Sequence, residues 1–125
     1  MKLNQNEFDR AVRRAYGRIP AEIRERMADV VVTVKKRPTR EMLEEMGYPP
    51  DEPLLGLYWG ASLPERSFFA PPPLHPDTIY IFREPLEEMC GSIAELEREI
   101  EITLVHEVAH FLGIDEERLE ELGYG

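Results

Sequence analysis

SIAELEREIEITLVHEVAHFLG, residues 92–113, carries the longest unbroken helical pattern in the chain. Ser92 followed three residues later by Glu95 has the form of a capping box, which starts a helix by satisfying orphan backbone N–H groups. Apolar residues at Ile93, Leu96, Ile100, Leu104, Val108 and Phe111 then keep to one stripe. Gly113, the residue type that most readily takes the left-handed conformation, ends it. The stretch predicts a helix across a core, and it sets His106 and His110 about one turn apart on one face near its C-terminal end.

That placement suggests metal chemistry. Zinc takes neutral imidazole nitrogens at about 2.0–2.1 Å, and residues at i and i+4 of a helix can reach one ion of that size. Glu107, one residue after the first histidine, is directed beside such a metal, where it can serve as general base toward a metal-bound water. A catalytic zinc usually keeps three protein ligands, and the turn at Gly113 brings Asp115 and Glu116 back as candidates for the third. The competing reading is structural: histidines on an amphipathic helix can be satisfied by hydrogen bonds, and acids in a first helical turn suit the helix dipole. The context favours the metal, since these are two of only three histidines in the chain.

Outward from the helix, the chain alternates short elements. NQNEFDRAVRRAYG (residues 4–17) predicts a helix capped by Asn4 or Asn6, with Phe8, Val12 and Tyr16 on one face and Gly17 at its end. PAEIRERM (residues 20–27) follows as a short helix with Pro20 in its first turn. DVVVTVKK (residues 29–36) is β-branched and nearly continuously apolar, so it is expected to be a strand covered on both faces. TREMLEEMG (residues 39–47) reads as a helix between Thr39 and Gly47. PLLGLYWG (residues 53–60) and DTIYIF (residues 77–82) read as two further strands. Between these two, residues 61–76 hold five of the eleven prolines and read as an irregular loop. Pro85 opens a helical turn that Gly91 ends, and DEERLEEL (residues 115–122) is a last short helix with Asp115 at its N-cap. No repeat and no second domain is evident.

Composition narrows the function classes. A chain of 125 residues can bury a sizeable core in one domain without disulfides or a structural metal. The single Cys90 excludes an intramolecular disulfide and reads as buried and inert, and no signal-peptide pattern opens the chain, so a cytoplasmic protein is expected. The most apolar run, residues 30–34, is far too short to span a bilayer. With 25 acidic against 15 basic residues and a net charge of -10, a nucleic-acid partner is not expected. Asn and Gln together number three, all within the first six residues, a scarcity seen in heat-adapted proteins and one that high-GC codon usage also produces.

HEVAHFLG followed by IDEERLEELG (residues 106–123) resembles the HExxHxxGxx(D/E/H) signature of the zincin metallopeptidases. LLGLYWGASLPERS (residues 54–67) resembles the small bacterial minimal zincins, a group of the DUF1025 type described as possible zinc metallopeptidases. The resemblance runs from about Val30 to the C-terminus. It implies an α+β fold in which a small mixed sheet of about three strands packs against the helix carrying His106, Glu107 and His110. Residue by residue, it implies His106 and His110 as zinc ligands, Glu107 as catalytic base and, three residues after the glycine, Glu116 as third ligand. Relatives commonly have Asp at that position. Asp115 is therefore the runner-up, although it has the competing task of N-cap.

A second departure is that only 15 residues follow His110, leaving no room for the methionine turn that underlies the metal in true metzincins. Zincin-like sheets can pair an extended substrate with the strand bordering the cleft, and DTIYIF is the candidate for that strand. Tyr58, Tyr80 and Arg66 are the candidate oxyanion donors. His75 reads as a surface residue, and the Glu clusters at 95–101 and 116–121 read as solvated helix faces. The expectation is a zinc-dependent metallopeptidase-like hydrolase acting on a peptide or protein substrate. The alternative is a zinc-binding protein-interaction module without peptidase activity, and nothing in the sequence specifies an oligomeric state.

Overall fold

The computed structural model describes residues 1–60 and 77–124. Helix α1 spans Gln5–Arg18, and Asn4 caps it in a complete box: the Asn4 side chain accepts from Glu7 N–H while the Glu7 carboxylate accepts from Asn4 N–H. Gly17 lies inside this helix instead of ending it. The stop comes from Ile19, held extended just before Pro20 because proline disfavours the helical conformation in the residue that precedes it. Helix α2, Ala21–Arg24, runs into a tight turn at Glu25–Met27.

Strands β1 (Val31–Lys35), β2 (Gly56–Trp59) and β3 (Thr78–Phe82) form one mixed sheet in the order β1-β3-β2. β1 pairs parallel with β3, Val31 opposite Thr78 through Lys35 opposite Phe82, and β2 pairs antiparallel with β3. DTIYIF is thus the central strand, so it has no open edge to offer a substrate. Its apolar residues serve two faces. Ile79 and Ile81 enter the main core, whereas Phe82 packs with Leu57 and with Met42 of α3 (Arg40–Glu45) on the other side. This two-faced burial explains why the strand departs from strict alternation. β1, expected to be covered on both faces, is an edge strand with Val31 43% exposed.

Helix α4 (Arg83–Met89) ends at buried Cys90. Helix α5 (Ile93–Leu112) then crosses the sheet, and Leu96, Ile100, Leu104 and Val108 on its stripe are fully buried. Full burial of each such side chain contributes roughly 1.5–3 kcal/mol. Ser92 caps α5 by accepting from Glu95 N–H, but the Glu95 carboxylate accepts from Gly91 N–H instead of closing the box at Ser92. α1 lies alongside, and two glutamates of α5 are buried. Glu97 is buried and pairs with Arg14 and Arg18 of α1. Glu101 is buried as well and binds Arg98 and Tyr124, so the first Glu cluster is not simply a solvated face.

β2 comes unusually close to α5 at Gly56, where an added Cβ would stand 2.5 Å from Thr103 Cγ2 and 3.0 Å from the Tyr80 carbonyl oxygen. That approach seats the Tyr58 ring on Phe111 with centroids 3.9 Å apart, beside His110 on the helix. Helix α6 (Glu116–Glu121) completes the described chain, and no helix among the described residues is long and apolar enough to cross a membrane.

Candidate metal centre

The last two turns of α5 are held from below by Val105, Val108 and Ala109, all buried, which leaves His106 and His110 on the exposed side. Gly113 takes φ 68°, a left-handed conformation, and its N–H donates to the Ala109 carbonyl. Ile114 N–H donates to the same carbonyl at 3.0 Å. This reversal turns the chain back across the helix end. Asp115 then caps α6, its carboxylate accepting from Glu117 N–H at 2.8 Å. Leu119 anchors α6 in the core, and Arg118 pairs with Glu22 of α2 and with Glu121.

The result is a pocket of about 250 Å³ between the end of α5 and α6. Ala109, Ile114 and Leu119 form its apolar part, and His106, His110, Glu116 and Glu120 supply its polar groups. Three of the residues read from the sequence therefore share one cavity. Asp115 does not line it, in keeping with its side chain being engaged as a cap. Glu120 went unread, although its spacing of four from Glu116 on α6 is the signal that places both on one face.

Glu107 does not line this cavity either; as a neighbour at i+1 it points to another side of α5. It is half-buried, and burial pushes its carboxyl up to about 7, against the opposing pull of His106. A carboxyl with that proton affinity suits proton transfer near neutral pH.

Tyr124 closes the far wall. Its hydroxyl donates to Glu101 at 2.5 Å, Arg98 lies 5.5 Å from its ring centroid, and its carbonyl lies 2.9 Å from His106 Nε2. A carbonyl accepts only, so Nε2 carries the proton in this contact. Such a hydrogen bond orients an imidazole, as the outer partners of metal-binding histidines do. It also occupies one of the two ring nitrogens.

The donor types match zinc: two imidazoles and carboxylates at one cavity, in a strongly acidic chain. They are not preassembled. Among the described residues, no three His, Cys, Asp or Glu side chains lie close enough together to grip an ion. Of the candidate oxyanion donors, Tyr58 is buried with its hydroxyl donating to Asp77 at 2.9 Å, and Tyr80 lies beneath the Lys35 ammonium. Arg66, His75 and the loop read at residues 61–76 lie outside the described residues.

No curated protein matches the chain. The profile of the family described as Zincin-like metallopeptidase matches residues 27–125, from the turn after α2 through α6. The match covers most of the chain and includes every residue of the pocket, and the protein belongs to the zincin-like metallopeptidase family.

Proposed function

We propose that the protein is a zinc-dependent hydrolase of peptide bonds, with His106, His110 and Glu116 as the metal ligands and Glu107 as general base. The observation that supports this reading is that His106, His110 and Glu116 line one pocket formed by the turn at Gly113. Bound zinc supplies Lewis-acid polarisation of a carbonyl and lowers the pKa of water.

The chain's own residues do the rest. Glu107, raised to about 7 by burial and next to His106 but outside the pocket lining, has to turn its carboxylate toward the pocket to take a proton from the attacking water and return it to the leaving amine. The Tyr124 carbonyl holds the His106 ring in one orientation. Glu116 adds a carboxylate from α6, and the turn at Gly113 limits how far it can stray. Ala109, Ile114 and Leu119 keep the cavity partly apolar, which strengthens the electrostatic interactions within it.

The test is hydrolysis of casein and of unstructured peptides by zinc-loaded protein, beside a Glu107→Gln variant. We expect the variant to keep its zinc and to lose activity by at least about 100-fold, the usual contribution of a general base. Retained turnover in the variant would overturn the role of Glu107. Wild-type protein that holds zinc but cleaves nothing would replace hydrolysis with a zinc-binding interaction module.

A further inference from the structure

Away from the candidate metal centre, no strand among the described residues pairs with the side of β1 that faces away from β3. Val31 N–H donates to the Asp77 carbonyl, so the backbone groups of Val31, Thr33 and Lys35 turn toward β3. By the alternation of a strand, those of Val32 and Val34 turn outward. Among the described residues no strand pairs with them. Edges of this kind are commonly guarded by lysine, but the Lys35 ammonium lies 5.3 Å over the Tyr80 ring and is drawn onto its own sheet. Beside the edge runs a groove of about 630 Å³, with Asp9, Arg13 and Tyr16 of α1 on one side and Val32 and Val34 on the other.

We propose that β1 pairs edge to edge with β1 of a second copy of this chain, antiparallel about a two-fold axis at Thr33. The two three-stranded sheets become one of six. Backbone accounting selects this register. Centred on Thr33, it sets Val32 of each copy opposite Val34 of the other, and all four outward-facing residues exchange hydrogen bonds. Centred on Val32, it would oppose Val34 to Val30, whose N–H already donates to the Met27 carbonyl. Centred on Val34, it would oppose Val32 to Lys36, whose carbonyl already accepts from Glu84 N–H.

Charge agrees with the same axis. It places both α1 helices on one face of the joined sheet and antiparallel, with Asp9 of each copy toward Arg13 of the other. The same register sets Asp29 opposite Arg37, but Arg37 already pairs with Glu84 and Glu88 of its own chain, so the match rests on Asp9 and Arg13. Alternating charges that match themselves under two-fold rotation are the signature of an isologous contact, whereas a foreign acidic or basic peptide would be served by one sign. The exposed Val31 is covered in the process.

The experiment is sedimentation of the full chain over a range of concentrations. We expect a reversible dimer, and a monomer for Thr33→Lys, which sets two ammonium groups face to face at the axis. Arg13 is exposed on α1 and Asp9 half-buried, and circular dichroism of each reversed variant, Asp9→Arg and Arg13→Asp, checks that it folds. Each alone should weaken the dimer about tenfold or more through like-charge contact, and the double swap should restore it. Thr33→Cys should cross-link the dimer on oxidation, because facing residues of a non-hydrogen-bonded pair stand about 4.5 Å apart at Cα and Cys90 is buried. A wild-type monomer at all concentrations overturns the proposal. So does a dimer that survives both Thr33→Lys and the single charge reversals, since it would use another face.

Discussion

Asp115 and Glu116 are adjacent acids with separate tasks. Asp115 caps α6 through Glu117 N–H, whereas Glu116 faces the pocket. Asp115→Ala should therefore cost about 1 kcal/mol of stability, the usual value of an N-cap, and leave zinc affinity near wild type. Urea unfolding and a zinc competition titration check the two halves; a large loss of zinc affinity would move the third ligand to Asp115. Tyr124 gives a pH signature. Burial and the contact with Glu101 push its phenol up to about 12, above the ordinary value of 10.0. A group whose pKa is raised on folding contributes stability that is present below its unfolded pKa and lost as pH rises through the folded one. Wild-type protein should thus lose stability between pH 10 and 12 more steeply than Tyr124→Phe. Equal slopes in urea midpoints over that window would contradict the assignment.

At the scale of elements, local signals were legible and pairing was not. Thr39, Ser92 and Asp115 cap helices as read, and of the two asparagines read for the first helix Asn4 is the cap, because capping involves neighbours within three residues. Which of two apolar runs lies at the centre of the sheet depends on distant partners. VVTVK and TIYIF are equally suited to burial, and only the basic residues following β1 hinted that it was the edge. Glu97 and Glu101 were misread for a similar reason. Their partners Arg14, Arg18 and Tyr124 are remote in sequence, and a Glu on a helix looks solvated until such a partner is known. The close approach at Gly56 makes a prediction here. Gly56→Ala should destabilise by about 1–3 kcal/mol, since its Cβ meets the Thr103 methyl. Adding Thr103→Ser, which removes that methyl, should recover part of the loss in thermal denaturation; no recovery would point to the Tyr80 carbonyl as the obstacle.

For the whole molecule, a three-stranded sheet and α1 support α5 from beneath, and the function depends on what the end of that helix holds. The HExxH spacing was legible because both histidines and the glutamate lie within one helix, where geometry follows from sequence separation alone. The contribution of α6 was only half legible: Glu116 was read, but Glu120 and the Tyr124 carbonyl depend on how the chain returns after Gly113. That β1 lies at the edge among the described residues follows only once the strand order is known. The most direct test of the central claim is zinc stoichiometry by elemental analysis of protein purified without an affinity tag, beside His106→Ala and Glu116→Ala. We predict about one zinc per chain in wild type, the number expected of a single three-ligand site, and much less in both variants. No zinc in wild-type protein even after incubation with the metal, or full occupancy in both variants, would contradict the account.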